Sequence, residues 1–394
     1  MRRLILFGLI ALLGCSDNEN AIEITPAAKP DEKKVFHLGQ VYADIDFSGA
    51  RLNEMIKIDD STYEAFIHPE NEPINNSPWY GFRLWSEKKM KISLGINYKD
   101  GYTHRYIPKL SHDGISWEPL EEAHYEIDKS TIRLRLTLPP EKLWISAQEN
   151  LNYDRIDQWL DSLSIREYVE KEVIGKSVLG RPINLLKVKN GSPEYALILI
   201  GRQHPPEVPG GTISLVSFIH TILADAELSQ KFRDKFEVIV IPLLNPDGVD
   251  EGNWRSNANG IDLNRDWIQF SQPETKAVKD WVFHSNNDRR FVFGIDFHTS
   301  YSGPYLLTLD TLEQEVEPQI TSQWITSIKD MTGDTLDIRP RPQSLPYCYN
   351  WFINEMEIEA VTFEEGDEID RKVVRERAQN YAMALMEVLM EEFP

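Results

Sequence analysis

Ala196-Leu-Ile-Leu-Ile200 runs directly into Gly201-Arg-Gln-His204-Pro-Pro-Glu207. Five apolar residues in succession, without the alternation of a half-exposed strand, read as a strand covered on both faces. Residues 236–244 (FEVIVIPLL), 291–297 (FVFGIDF) and 360–363 (AVTF) have the same character. Helical stretches fall between and after these runs, near 211–224, 273–283, 315–331 and 371–390. Buried strands alternating with helices predict an α/β domain over residues 151–394, with a mostly parallel or mixed sheet flanked by helices.

Upstream the pattern changes. Lys91-Ile-Ser-Leu-Gly-Ile-Asn-Tyr98 and Thr131-Ile-Arg-Leu-Arg-Leu-Thr-Leu138 alternate apolar with polar or small residues, as strands with one wet face do. Lys99-Asp-Gly101 and His112-Asp-Gly114 mark turns between such segments. Residues 35–150 therefore read as an all-β sandwich preceding the α/β domain. A polar, helical bridge over 152–164 joins the two, and no internal repeat is visible.

The first residues belong to neither unit. Arg2 and Arg3 precede a ten-residue apolar run, Leu4 to Leu13, too short to span a bilayer. Leu12-Leu13-Gly14-Cys15 resembles the bacterial lipobox, which implies a signal peptide over 1–15 and a lipid on Cys15. Residues 16–34 are polar and aperiodic, as a tether is. These features predict a protein anchored in the periplasm of a Gram-negative cell, with Ser16 favouring the outer membrane. With only Cys15 and Cys348 in 394 residues, a lipidated Cys15 leaves Cys348 without a disulfide partner. A net charge of −21 repels phosphate backbones and argues against nucleic acid as a partner. Contact with a membrane is expected only through the Cys15 anchor.

Candidate chemistry begins with His204 and Glu207, since a strand-end loop can present an imidazole and a carboxylate to one metal ion. Asp296-Phe-His298 ends another buried run, on the sheet edge where sites assemble. Two histidines and a glutamate leave a fourth zinc position open; that ligand set is the known one of carboxypeptidase A. A third group is longer: Asn245-Pro-Asp-Gly248, Asn253-Trp-Arg255, and Gly260-Ile-Asp-Leu-Asn264-Arg265-Asp-Trp267.

Taken together, these motifs closely resemble the M14 zinc carboxypeptidases. The resemblance runs from about residue 168 to 389. It is nearest the cytosolic-type branch, whose members carry a β-sandwich before a zinc-carboxypeptidase-like domain. It implies His204, Glu207 and His298 as ligands of one zinc ion per chain. It also implies Asn264 and Arg265 as a clamp for the substrate's terminal carboxylate, and Arg255 as the group polarising the scissile carbonyl. It further implies Glu364, in Thr362-Phe-Glu364, as the general base acting on a zinc-bound water; Glu365 does not align with that position. These types suit these roles: arginine grips a carboxylate as a planar fork, and a fixed cation stabilises a developing oxyanion.

Some readings stay open. Asp262 is either an acceptor orienting His204 or a turn residue. Tyr347 and Tyr349 are both candidates for the tyrosine that closes over substrate. His37, His68, His104, His112, His124, His220 and His284 read as surface or packing residues. The expected function is a metallocarboxypeptidase acting on peptides with a free C-terminal carboxylate. The rivals are a zinc amidohydrolase on stem peptides or N-acyl amino acids, and a non-catalytic binding module.

Overall fold

The structure, a computed structural model, describes residues 35–128, 130–284, 289–309 and 319–394. The expected signal peptide, Cys15 and the expected tether lie outside the described residues, as does the start of the helix expected at 315–331.

Two sheets form the N-terminal unit among the described residues: a six-stranded one that ends through Leu143–Ser146 and Lys109–Ser111 in the short Glu118–Pro119 strand, and a five-stranded one. In the latter, Thr131–Leu138 pairs antiparallel with Met90–Tyr98, Leu134 facing Leu94. The alternation does what the sequence requires of it. Ile132, Leu134, Leu136 and Leu138 are buried, while Arg133 reaches outward to Glu64 at 2.7 Å.

The α/β part is built on an eight-stranded mixed sheet among the described residues. Its four central strands, Phe236–Ile241, Tyr195–Gly201, Arg290–Ser300 and Glu359–Gly366, are parallel. Alternate residues feed different cores. Leu197, Leu199, Val238 and Val240 pack beneath the helices Tyr153–Leu163, Leu215–Ile222, Ile320–Thr332 and Arg371–Glu392. Ile198, Ile200, Ile239 and Ile241 pack beneath Pro273–His284 and Cys348–Met356. That double coverage is why the sequence runs are continuously apolar.

The run expected over 236–244 ends as a strand at Ile241, because Pro242 has no N–H to continue the ladder. The bridge helix forms over Tyr153–Leu163, with Asn152 as the N-cap accepting from the Arg155 N–H. Elements without a strong apolar period were not read from sequence. They include the Val169–Lys176 and Pro182–Val188 hairpin, the Glu227–Lys235 helix and the Cys348–Met356 helix.

The two units share one core. Val208, Ile213, Trp254 and Val374 from the α/β part are buried within the sandwich cluster. A second constraint is the close pass of Gly210 beneath the strand that carries His298. A Cβ at Gly210 would lie 1.6 Å from the His298 carbonyl oxygen. Gly210→Ala should therefore force the loop from the strand and destabilise the fold by about 1–3 kcal/mol. A urea midpoint equal to the wild type's would show that the close pass carries no such constraint.

Candidate metal and hydrolytic site

The ends of three adjacent parallel strands meet here. Immediately after Gly201 the chain turns through Arg202, whose φ of 52° lies in the left-handed region. Its guanidinium is buried and bonds Thr212 Oγ1 at 2.7 Å and the Pro205 carbonyl at 2.9 Å. It thus bolts down the loop that carries His204 and Glu207. Sequence reasoning passed over Arg202; a cation directly after a doubly covered strand was the available signal.

His298 lies near the end of the neighbouring parallel strand. Its Nδ1 is 2.5 Å from Glu207 Oε2, and His204 Nδ1 is 2.7 Å from Glu207 Oε1. One ligand atom from each of the three residues falls within 4.8 Å of the others. Both histidine rings are buried, and the Glu207 side chain is 11% exposed. The outer nitrogens are taken as well: His204 Nε2 lies 2.8 Å from Asp262 Oδ1, and His298 Nε2 lies 2.8 Å from Asp296 Oδ2.

This arrangement fits a metal ion. Carboxylates on the outer nitrogens hold the N–H there and turn each Nδ1 lone pair inward. Two lone pairs and a carboxylate then face one point, a donor set that suits one shared cation. The proton affinities show the same demand. Burial opposes charge on Glu207, but the His204 and His298 rings overcome it and hold its pKa well below the carboxylate range. Burial likewise opposes protonation of His298, yet Asp296 and Glu207 raise its pKa well above that of a free imidazole.

Asp262 holds more than His204. Its Oδ1 accepts from the Asn264 N–H at 2.9 Å, capping a short turn, and its Oδ2 accepts from Arg255 Nε at 2.6 Å. The two readings left open from sequence are therefore both met by one carboxylate. Burial works against Asp262 ionising, but His204 and Arg255 keep it charged far below the usual carboxylate range.

Asn264 is 7% exposed. Its Oδ1 accepts from the Cys348 N–H at 2.8 Å, and its Nδ2 lies 3.2 Å from His298 Nε2. Arg265 is more open, its side chain 41% exposed, and it stacks over the Tyr347 ring at 4.5 Å. Tyr349 is fully buried in the core beneath the sheet, whereas Tyr347 is half-buried at its margin.

Glu364 stands beside His298 in the parallel register of the two strands. Burial pushes its carboxyl up to about 7, with Glu207 adding to the rise while His298 and His204 oppose it. Glu365 points to the other face, as strand alternation requires, and accepts from Arg377 at 2.6 Å. Outside the site, His220 accepts from Trp159 Nε1 and His104 bonds the Tyr98 hydroxyl, so these two serve packing.

Comparison with known proteins agrees with this geometry. Residues 156–307 match the peptidase M14 family, described as zinc carboxypeptidase. Over those residues the chain carries the pattern of an M14 zinc carboxypeptidase domain. His204, Glu207, Arg255, Asn264, Arg265 and His298 fall inside the matched range, and Glu364 lies beyond it. Mouse cytosolic carboxypeptidase 6 is 24% identical over 309 residues, covering 71% of this chain and 56% of its own length. Human cytosolic carboxypeptidase 2 is 30% identical over 288 residues, 64% of this chain and 32% of its length. The chain thus spans about half, or less, of these relatives. A metallo-carboxypeptidase from Burkholderia cenocepacia superposes over 90% of this chain and 99% of its own, with a TM-score of 0.73 at 19% identity. One from Pseudomonas aeruginosa, in complex with (2-guanidinoethylmercapto)succinic acid, covers 89% of this chain and 99% of its own, with a TM-score of 0.72 and 19% identity. These two carry the fold, sandwich included.

Because Asp262 orients one histidine, Asp262→Asn should weaken zinc binding about 10–100-fold. Competition against a chromogenic chelator measures it. Wild-type affinity in that variant would remove Asp262 from the metal site.

Proposed function

We propose that the protein is a zinc carboxypeptidase releasing the C-terminal residue of peptides, with one zinc per chain held by His204, Glu207 and His298. The observation that carries this reading is the convergence of those three donors beside Glu364, with His204 and Glu207 on the loop after one parallel strand and His298 and Glu364 on the next two. Zinc bound there would acidify a water and polarise the scissile carbonyl.

The chain's own groups do the rest. Glu364 takes the proton of the attacking water and delivers it to the leaving amine. Its partly desolvated position makes it a better base than a solvated glutamate. Arg255, held by Asp262, places a fixed cation where the carbonyl oxygen gains charge. Arg265 presents its fork at the open margin of the site, suited to a terminal carboxylate. Asn264, bonded to Cys348 N–H and beside His298, sets the start of that arm. Tyr347, under the Arg265 guanidinium, is the better placed of the two tyrosines to cover a bound peptide.

The decisive experiment uses one peptide with a free or an amidated C-terminus. Wild type should cleave the free form alone. Glu364→Gln should retain zinc and lose about two to four orders of magnitude in turnover. Arg265→Ala should weaken recognition of the free form and leave the zinc in place. Equal cleavage of both peptides would transfer the assignment to an amidohydrolase, and full turnover in Glu364→Gln would remove the base.

For location, we propose an outer-membrane lipoprotein facing the periplasm. The proposal is supported by the Arg2-Arg3 start, the short apolar run, Cys15 and the polar tether. Among the described residues no single helix is long and apolar enough to cross a membrane. Cys15→Ser should shift the protein from the membrane to the soluble fraction; membrane retention without lipid labelling would defeat the anchor.

A further inference from the structure

Resting on that hydrolytic reading, we propose that the β-sandwich is a working part of the site through Glu70, a positioning residue that fixes Arg255. Arg255 lies on an irregular segment between the short Pro246–Asp250 helix and the Leu263–Arg265 turn, so no regular ladder of its own sets its course. The sandwich sets it instead. Glu70 follows the Thr62–Ile67 strand of the sandwich and sends its carboxylate across to this segment. Oε2 accepts from the Trp254 N–H at 2.7 Å; Oε1 accepts from the Arg255 N–H at 2.9 Å and the Ser256 N–H at 2.7 Å.

Three consecutive N–H groups aimed at one point make an anion-binding concavity, and here the anion comes from the other unit of the fold. Charge-assisted bonds of this kind are about twice as strong as neutral ones. The flanks are tied to the sandwich too. Trp254 is fully buried among sandwich residues and donates from Nε1 to the Trp79 carbonyl at 3.0 Å. Asn71 Nδ2 donates to the Gly260 carbonyl at 3.0 Å. Arg51 reaches the Glu251 and Gly252 carbonyls and Asn253 Oδ1, while its other arm bonds the His68 carbonyl within the sandwich.

Arg255 is therefore held at both ends. Glu70 holds its backbone from the sandwich side, and Asp262 holds its guanidinium from the metal side. Loss of the first hold leaves the N–H groups of Trp254, Arg255 and Ser256 without their acceptor and lets the backbone at Arg255 shift between its tied flanks. A displacement of about 1 Å at a group acting on the reacting atoms costs on the order of a hundredfold in rate.

The test compares Glu70→Ala and Glu70→Gln in wild-type and Arg255→Ala backgrounds on the free-C-terminus peptide. Zinc content and amide hydrogen exchange are measured in parallel. Glu70→Ala should lower kcat about a hundredfold, with KM and zinc near wild type and faster exchange at Trp254, Arg255 and Ser256. Glu70→Gln keeps one acceptor oxygen and should fall between the two, and it carries the comparison if the alanine variant does not fold. In the Arg255→Ala background neither change should lower kcat further, because the group Glu70 acts through is gone. An equal loss in both backgrounds, a parallel loss of zinc, or unchanged exchange at the three amides would overturn the proposal. A wild-type protein that releases no C-terminal residue would defeat the hydrolytic reading instead. Exchange at the three amides would then still decide whether Glu70 holds the segment.

Discussion

The carboxylate of Asp262 lies 2.8 Å from His204 Nε2 and 2.6 Å from Arg255 Nε, and the geometry of the whole site hangs on that double contact. In the roles proposed for them, a metal ligand and an oxyanion-stabilising cation have opposite needs. One must present a lone pair, and the other must keep a positive charge at low dielectric. A single buried anion answers both, since it fixes the N–H on the outer nitrogen of the imidazole and offsets desolvation of the guanidinium. Burial alone would lower the Arg255 pKa; Asp262, with Glu207 nearby, raises it instead. Any displacement of Asp262 is felt at the metal and at the cation together.

That coupling makes the surroundings of the Arg255 segment more than filler. The sheet fixes His204, His298 and Glu364 through parallel strands, whose register is set by backbone hydrogen bonds. Arg255 has no strand beneath it. Its position comes from side chains of a unit nearly two hundred residues earlier in the chain, and from one indole sunk into that unit's core. The segment after Glu364 is tied the same way: Arg105 grips Asp367 through two nitrogens, and Lys109 reaches Glu368 at 2.7 Å. Both arms flanking the metal ligands thus lean on the sandwich. The shared apolar cluster around Val208, Ile213, Trp254 and Val374 makes that support rigid.

Sequence carried the framework well where burial dictated residue type. The doubly covered strands could be read because every position must be apolar, and the ligand loops could be read because they sit at the ends of those strands. The alternating Thr131–Leu138 strand was legible for the complementary reason, having one wet face. What escaped were elements whose stability comes from partners distant in sequence. The Val169–Lys176 strand mixes charges on both sides because it sits at the sheet edge. The Cys348–Met356 helix is nine residues long and buried on most sides, so no amphipathic period marks it. That helix also separates the two tyrosines that sequence left undecided. Tyr347 precedes it at the margin of the site, and Tyr349 is its second residue, packed in the core. The links from Glu70 and Arg51 were invisible because a glutamate and an arginine in the sandwich carry no local sign of partners about two hundred positions away.

Neighbouring Glu364 and Glu365 show how the fold turns similar residues to different ends. Both carboxyls are pushed upward by burial. Glu365 faces the Arg371–Glu392 helix and is answered by Arg377 at 2.6 Å, which makes it a structural ion pair whose partner is fixed by helix packing. Glu364 faces the other way, and the positive groups that answer it are the histidines of the metal site. Its charge is therefore balanced by the centre it is proposed to serve. A dication on the three donors would lower its proton affinity from that raised value and keep it ionised as the resting base, while the low dielectric around it preserves its pull on a proton at close range. Alternation along one strand separates the two roles, so a one-residue slip in the register with His298 would place the Arg377-paired glutamate at the metal and bury the base among apolar helices.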